Sequence, residues 1–309
     1  MNSPLQAVIL GQSGRHAPAP VAALGEVLRR RFGAHALAVL FYGSCRRSND
    51  DTGGIADLYL LVDDYHAAYG RCLPAIANRV LAPNVYYLEI PFAGRSVRAK
   101  YAVVSLRQFE RGTARWFHPY LWGRFAQPCG LLYAADEAIS RRVVQALGRA
   151  AATFARRVLP RLPAEFDAEI FWTRGLLLTY AAELRPERPG RIRAHYADSA
   201  HEFRALTHAI AVEHDWDLTP AGRYRNPSTG RQRWFSAWGW AAGRAEGKLL
   251  SLLRLLKASF TFDGGVAYIA WKIERHSGVK VEITPLMRRF PRLGAIAAFW
   301  QTWRLGGFR

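Results

Sequence analysis

The stretch Phe41–Asp64, FYGSCRRSNDDTGGIADLYLLVDD, decides how the chain is read. An apolar run ends in Gly43-Ser44, a polar glycine-containing loop follows, and a second apolar run, 56–62, opens on Asp57 and closes on Asp63 and Asp64. Two readings fit the spacing. One is a β-hairpin with solvated acids at its ends. The other is the opening of a nucleotide and metal site: a glycine lets phosphate approach the main chain, a serine adds a hydroxyl, and an aspartate on the neighbouring strand faces the turn. Asp63 and Asp64 read as solvated strand-end acids.

Outward from this stretch, continuous apolar runs at 36–43 and 56–62 predict strands covered on both faces. Residues 84–90 and 96–106 predict two more, joined at Ala93-Gly94. Helices are expected over 21–33, 139–159, 168–185 and 245–260, and one between Val62 and Pro83 broken near Gly70 and Pro74. Residues 1–19 read as a loose arm, 185–193 as a linker and 222–234 as a basic loop. The fold class is therefore α+β. The expected division is a mixed-sheet domain over 1–135, a helical, winged-helix-like domain over 136–215, and a C-terminal region over 216–309.

The chain has 309 residues and a net charge of +19, from 43 Lys and Arg against 24 Asp and Glu. Such an excess predicts an anionic partner, a membrane surface or nucleic acid. Three cysteines at long spacings exclude a disulfide framework or zinc ribbon and fit a reducing, cytoplasmic setting. Neither a spanning apolar run nor a signal-peptide pattern is present, so a peripheral protein on the inner face of the membrane is expected. After Glu282, five arginines follow without an acid, interleaved with Trp300 and Trp303 at helical spacing. This reads as a basic amphipathic segment suited to anionic lipid.

Further blocks accompany the opening stretch. AKYAVVS (99–105) carries Lys100 and Tyr101. WFHPYLWGRFAQP (116–128) places Tyr120, Gly123 and Arg124 among aromatic residues. LTYAAELR (178–185) carries Tyr180, Glu183 and Arg185. Together, in this order, these blocks resemble the peripheral phosphatidate cytidylyltransferases of the mitochondrial translocator assembly and maintenance type, across roughly residues 40–185. Like that family, the metal strand has one leading aspartate, a hydrophobic residue (Tyr59) where other nucleotidyltransferases carry a second carboxylate, and a closing Asp-Asp. The chain departs from the family at Cys45, Ala102, Gly112, Gln127 and Glu183.

The resemblance implies a nucleotidyltransferase fold, Mg2+ as cofactor, and CTP and phosphatidic acid as partners, giving CDP-diacylglycerol and pyrophosphate. It implies that Gly43 and Ser44 cradle the triphosphate, that Asp57 holds the metal, and that Lys100 and Arg124 neutralise phosphates. Tyr101 and Tyr120 would shape the pocket, and Tyr180, Glu183 and Arg185 would close over it. Glu89, on a strand of the same sheet, is a candidate second metal carboxylate. Two alternatives stand beside this: a nucleotidyltransferase acting on RNA, with Arg223, Arg225, Arg231 and Arg233 on phosphates, and a non-catalytic lipid-binding relative.

Overall fold

The computed structural model describes residues 3–48, 55–183 and 187–261. Helix α1 (Pro4–Ser13) opens the chain. It corrects the expected loose arm: Ser3 and Gln6 cap each other's backbone, Pro4 sits in the first turn, and Leu5 and Ile9 are buried. Helix α2 (Ala19–Phe32) leads through a 3-10 turn into β1 (Ala36–Tyr42). After Gly43 comes a short helix, α3 (Ser44–Ser48), and then β2 (Ala56–Val62). Helices α4 (Tyr65–Tyr69) and α5 (Cys72–Val80) are separated at Gly70, whose φ of 59° stops α4. Asp64 caps α4 by accepting from the His66 and Ala67 amides.

Strands β3 (Asn84–Phe92) and β4 (Arg95–Ser105) form a hairpin on Ala93 and Gly94, both at positive φ, as a two-residue turn requires. Helices α6 (Leu106–Arg115) and α7 (Trp122–Phe125) precede β5 (Gly130–Ala134), which sequence reading did not anticipate. Then come α8 (Glu137–Val158), β6 (Glu165–Phe166), α9 (Ala168–Tyr180), α10 (Pro189–Asp198), α11 (Ala200–Glu213), β7 (Tyr224–Arg225) and α12 (Gly230–Thr261). Two expectations are corrected here. The helix predicted at 168–185 ends at Tyr180, and the one at 245–260 is the last half of a helix that begins within the expected basic loop. In that loop Arg233 turns inward and donates to the carbonyls of Ser228 and Leu162, so it does not join an outward basic face.

The five-stranded sheet has the order β3-β4-β2-β1-β5. Only β2 and β4 run parallel; the other pairs are antiparallel. Alternation along the strands sends residues to two cores. Val39, Phe41, Leu58, Leu60, Tyr101 and Val103 pack with α2 and Tyr65 on one face. Ala38, Leu40, Tyr59, Leu61, Ala102 and Val104 pack on the other face, in one cluster with Phe109, Phe125, Phe154, Trp172, Phe203 and Trp240 from α6 to α12. That cluster crosses residue 135 without a break, so α8, α9 and α11 form the second layer over the sheet. The segment 286–309 lies outside the described residues. Among the described residues, no helix is long and apolar enough to cross a membrane.

Candidate active site

One row crosses four strands on the face of the sheet covered by the α6–α12 layer. Tyr42 pairs with Asp57, Asp57 with Lys100, and Lys100 with Tyr87. Directly paired residues share a face, so Asp57 and Lys100 stand side by side, one strand spacing of about 4.8 Å apart. Both are half-buried. At the end of β1, Gly43 takes φ 88° and turns the chain into α3, with Ser44 exposed at its start. A Cβ on Gly43 would lie 2.6 Å from Asp57 Oδ2, so the carboxylate rests against the glycine backbone. The expected turn-and-aspartate arrangement is therefore present in three dimensions.

Arg124 lies behind this row. Gly123 presses against Thr179 of α9, where an added Cβ would stand 2.9 Å from the threonine methyl. The close approach brings the Arg124 guanidinium to Glu183 Oε1 at 2.9 Å and to the Tyr59 hydroxyl at 3.2 Å. It also lies 4.5 Å from the Tyr120 ring centre and 5.7 Å from that of Tyr42. Tyr59 is two residues after Asp57, on the same face. Where a second carboxylate would stand, the chain presents an aromatic hydroxyl that accepts from an arginine. Burial, above all, holds the Tyr42 and Tyr59 hydroxyls well above their ordinary pKa, so both stay neutral.

A pocket continues from Arg124 between α9 and α12, lined by His118, Tyr120, Tyr180, Glu183, Ser251 and Arg254 among others. Gly247 lets α12 reach the end of α9, since a Cβ there would meet the Ala182 carbonyl oxygen at 2.7 Å. One turn further along, Ser251 faces the same space, and then Arg254. The Arg254 guanidinium lies 4.0 Å from the Tyr120 ring centre, and its Nε donates to the Ala82 carbonyl at 2.8 Å. Lys257 donates to the carbonyls of Leu81 and Pro83. Burial, with the charge of Arg254 second, lowers its pKa to about 7. The same two causes lower that of His118 to about 4, so its imidazole is neutral.

The structure brings together Gly43, Ser44 and Asp57 at the ends of β1 and β2 with Lys100 beside Asp57 on β4, and Tyr120, Arg124, Tyr180 and Glu183 in the pocket. It does not bring Tyr101 or Glu89 to them. Tyr101 follows Lys100 on β4 and so points to the opposite face, buried against Tyr86 and Phe32. Glu89 sits across β4 from Asp57, roughly 10 Å away by strand spacing alone. It pairs with Arg98 at 2.9 Å and accepts from the Tyr87 hydroxyl. Arg185 lies outside the described residues. Sequence reading missed Tyr42, Tyr59, His118 and Arg254. The available signal for Arg254 was Gly247-Ser251-Arg254, a small and polar stripe at helical spacing in an otherwise leucine-rich segment.

Several departures from the resembled family have local reasons. Gly112 packs under Leu121, where a Cβ would meet Cδ1 at 2.4 Å. Ala102 is a core residue. The Cys45 thiol donates to the Ile55 carbonyl at 3.2 Å. Among the described residues no three His, Cys, Asp or Glu side chains gather as a metal cluster. Mg2+ needs none, because it binds through one or two carboxylates together with substrate phosphates and water. Asp57, half-buried beside a glycine turn and a lysine, fits that mode. No family model matches this chain, and no curated protein matches it.

Proposed function

We propose that the protein is a nucleotidyltransferase that transfers CMP from CTP to a phosphomonoester, phosphatidic acid in the favoured case, at the surface of an anionic membrane. The observation that carries the reading is Asp57 resting against the Gly43 turn with Lys100 paired beside it. That arrangement supports the reading because it offers backbone approach, a carboxylate suited to a metal and a cation suited to phosphate at one point of the mixed sheet. Arg124, behind Tyr42, extends the positive charge inward.

The chemistry asks little covalent work of the protein. An oxygen of the acceptor phosphate forms a bond to the α-phosphorus of CTP, the bond from that phosphorus to the bridging oxygen breaks, and pyrophosphate leaves with the electron pair. A phosphate dianion brings no proton, so no general base is required. Positioning and charge stabilisation carry the rate. Asp57 would hold Mg2+, which offsets charge on the leaving pyrophosphate. Lys100 and Arg124 hold the phosphates in line, and Gly43 and Ser44 receive the triphosphate.

A membrane partner is supported by α12, whose Leu249, Leu252, Leu253 and Leu256 recur at helical spacing and are exposed, as are Trp234 and Trp238. Leu73, Ile76 and Val80 form a second exposed stripe on α5. The test is incubation with each of four labelled nucleoside triphosphates and Mg2+, with and without phosphatidate vesicles. CTP alone is expected to be consumed, and only with the lipid. Asp57→Asn is expected to cut turnover at least about a hundredfold, a loss of roughly 3 kcal/mol of transition-state stabilisation. Wild-type turnover by that variant, or turnover that requires RNA, overturns the reading.

A further inference from the structure

The pocket between α9 and α12 has a charge arrangement that the nucleotide end of the site leaves unexplained. Two guanidiniums, of Arg124 and Arg254, lie over the single ring of Tyr120, at 4.5 and 4.0 Å. One carboxylate, Glu183, faces them and is bonded to Arg124. Arg254 Nη1 is buried and has no hydrogen-bond partner among the described residues. Its charge is thus held in a protein interior where a guanidinium ordinarily finds an acceptor. His118 is only 6% exposed, and its Nδ1 is buried and equally without a partner there. Both residues line the same pocket, and Ser251 adds a hydroxyl. One buried nitrogen without a partner on each of two lining side chains, Arg254 Nη1 and His118 Nδ1, together with an excess of positive charge around one space, describes a receptor for an oxyanion.

Resting on the nucleotidyl-transfer reading, we propose that this pocket is the acceptor subsite, and that Arg254, His118 and Ser251 bind the phosphomonoester that receives the nucleotidyl group. Arg124 divides the site. Its Tyr42 side looks toward Asp57 and the nucleotide, and its Tyr120 side looks toward Arg254 and the acceptor. A phosphate bound between the two arginines has one oxygen directed at the nucleotide, and Arg254 holds the others in the bidentate manner a guanidinium allows. Glu183 opposes this anion, so acceptor binding competes with the Arg124–Glu183 ion pair. The recognised chemistry is a terminal phosphate with two ionisable oxygens, carried either by a lipid or by a soluble molecule.

The experiment uses the full chain. Inorganic phosphate and glycerol 3-phosphate are titrated by calorimetry, and phosphatidate vesicles are compared with phosphatidylglycerol vesicles by co-sedimentation. Arg254→Gln is expected to weaken phosphomonoester binding at least about tenfold, with affinity for Mg2+–CTP unchanged. Glu183→Gln is expected to tighten it, a gain that general damage to the fold would not produce. Ser251→Glu sets a carboxylate in the half-buried lining of the pocket and is expected to abolish binding, which covers the case that Arg254→Gln does not fold. Preference for phosphatidate over phosphatidylglycerol assigns a lipid acceptor; binding of glycerol 3-phosphate without that preference assigns a soluble one. Unchanged phosphomonoester affinity in Ser251→Glu and Arg254→Gln overturns the subsite even if CTP is turned over, as does a parallel loss of Mg2+–CTP binding. Arg254-dependent phosphomonoester binding with no turnover of any nucleotide leaves the subsite standing and sinks the nucleotidyl-transfer reading instead.

Discussion

Two constraints meet at Gly43. The backbone there takes φ 88°, which only glycine adopts without strain, and the space where a side chain would begin is filled by Asp57 Oδ2 at 2.6 Å. Either alone would favour glycine; together they tie the shape of the turn to the position of the carboxylate. Gly43→Ala is therefore expected to cost about 1–3 kcal/mol of stability, the range for a strained backbone conformation. Because the carboxylate must also move, it is expected to lose Mg2+-dependent nucleotide binding. Urea unfolding and a Mg2+–CTP titration check the two effects separately, and a variant matching the wild type in both contradicts the coupling. Lys100 and Tyr101 show the opposite lesson. Adjacent in sequence, they part to opposite faces of β4, and only Lys100 shares the face of Asp57.

At the scale of elements, the turn that carries Ser44 is fastened to the helical layer by a buried ion pair. Arg46 of α3 donates to both carboxylate oxygens of Glu202 on α11, at 2.9 and 2.8 Å, with side-chain exposures of 9% and 4%. Burial by itself would raise the Glu202 pKa, but the Arg46 hydrogen bonds and the charges of Arg46 and Arg15 outweigh it and hold it below the usual carboxylate value. The stability contributed by this group is present above the unfolded carboxylate pKa and is lost as the pH falls through the lowered folded value. Glu202→Ala leaves Arg46 buried without its counter-charge. It is expected to destabilise the protein by about 3–5 kcal/mol, read by denaturant unfolding at neutral pH. A change below about 1 kcal/mol would mean that Arg46 reaches solvent when its partner is removed.

At the largest scale, the described residues form a sheet between two layers of helices, with α12 laid along the end of the thicker one. Its two faces differ in kind. Gly247, Ser251 and Arg254 look into the pocket, while Leu249, Leu252, Leu253 and Leu256 are exposed. With a net charge of +19, an exposed leucine stripe is suited to an anionic lipid surface. Replacing Leu252 and Leu256 together by glutamate is expected to lower affinity for phosphatidate-containing vesicles at least about tenfold and to leave Mg2+–CTP affinity alone. Raising salt is expected to weaken the wild type as well, since exposed charges are screened. Co-sedimentation at low and high salt checks both. Vesicle binding indifferent to the two substitutions removes this stripe from the membrane contact.

Much of this arrangement was legible in one dimension because it rests on local signals. Continuous apolar runs announced β1 and β2, Ala93-Gly94 announced the tight hairpin, and Gly43-Ser44 with Asp57 announced the close approach of a carboxylate to a glycine turn. These depend on side-chain period, backbone freedom and charge within a few residues. What the sequence left open depends on approach between distant segments. The pairing of Arg46 with Glu202, 156 residues apart, and the meeting of Arg124 and Arg254 over Tyr120 are of this kind. Nothing in local propensity encodes such contacts. Gly123, read in the sequence only as part of a Gly-Arg block, and Gly247, not singled out there, decide the second of these, because only the folded chain shows which backbone must come close enough to need no side chain. The sequence by itself determined the α+β class, the strand-end motif and the net charge of +19. The tertiary structure decided which cations share one pocket, since that follows from packing across the sheet and not from position along the chain.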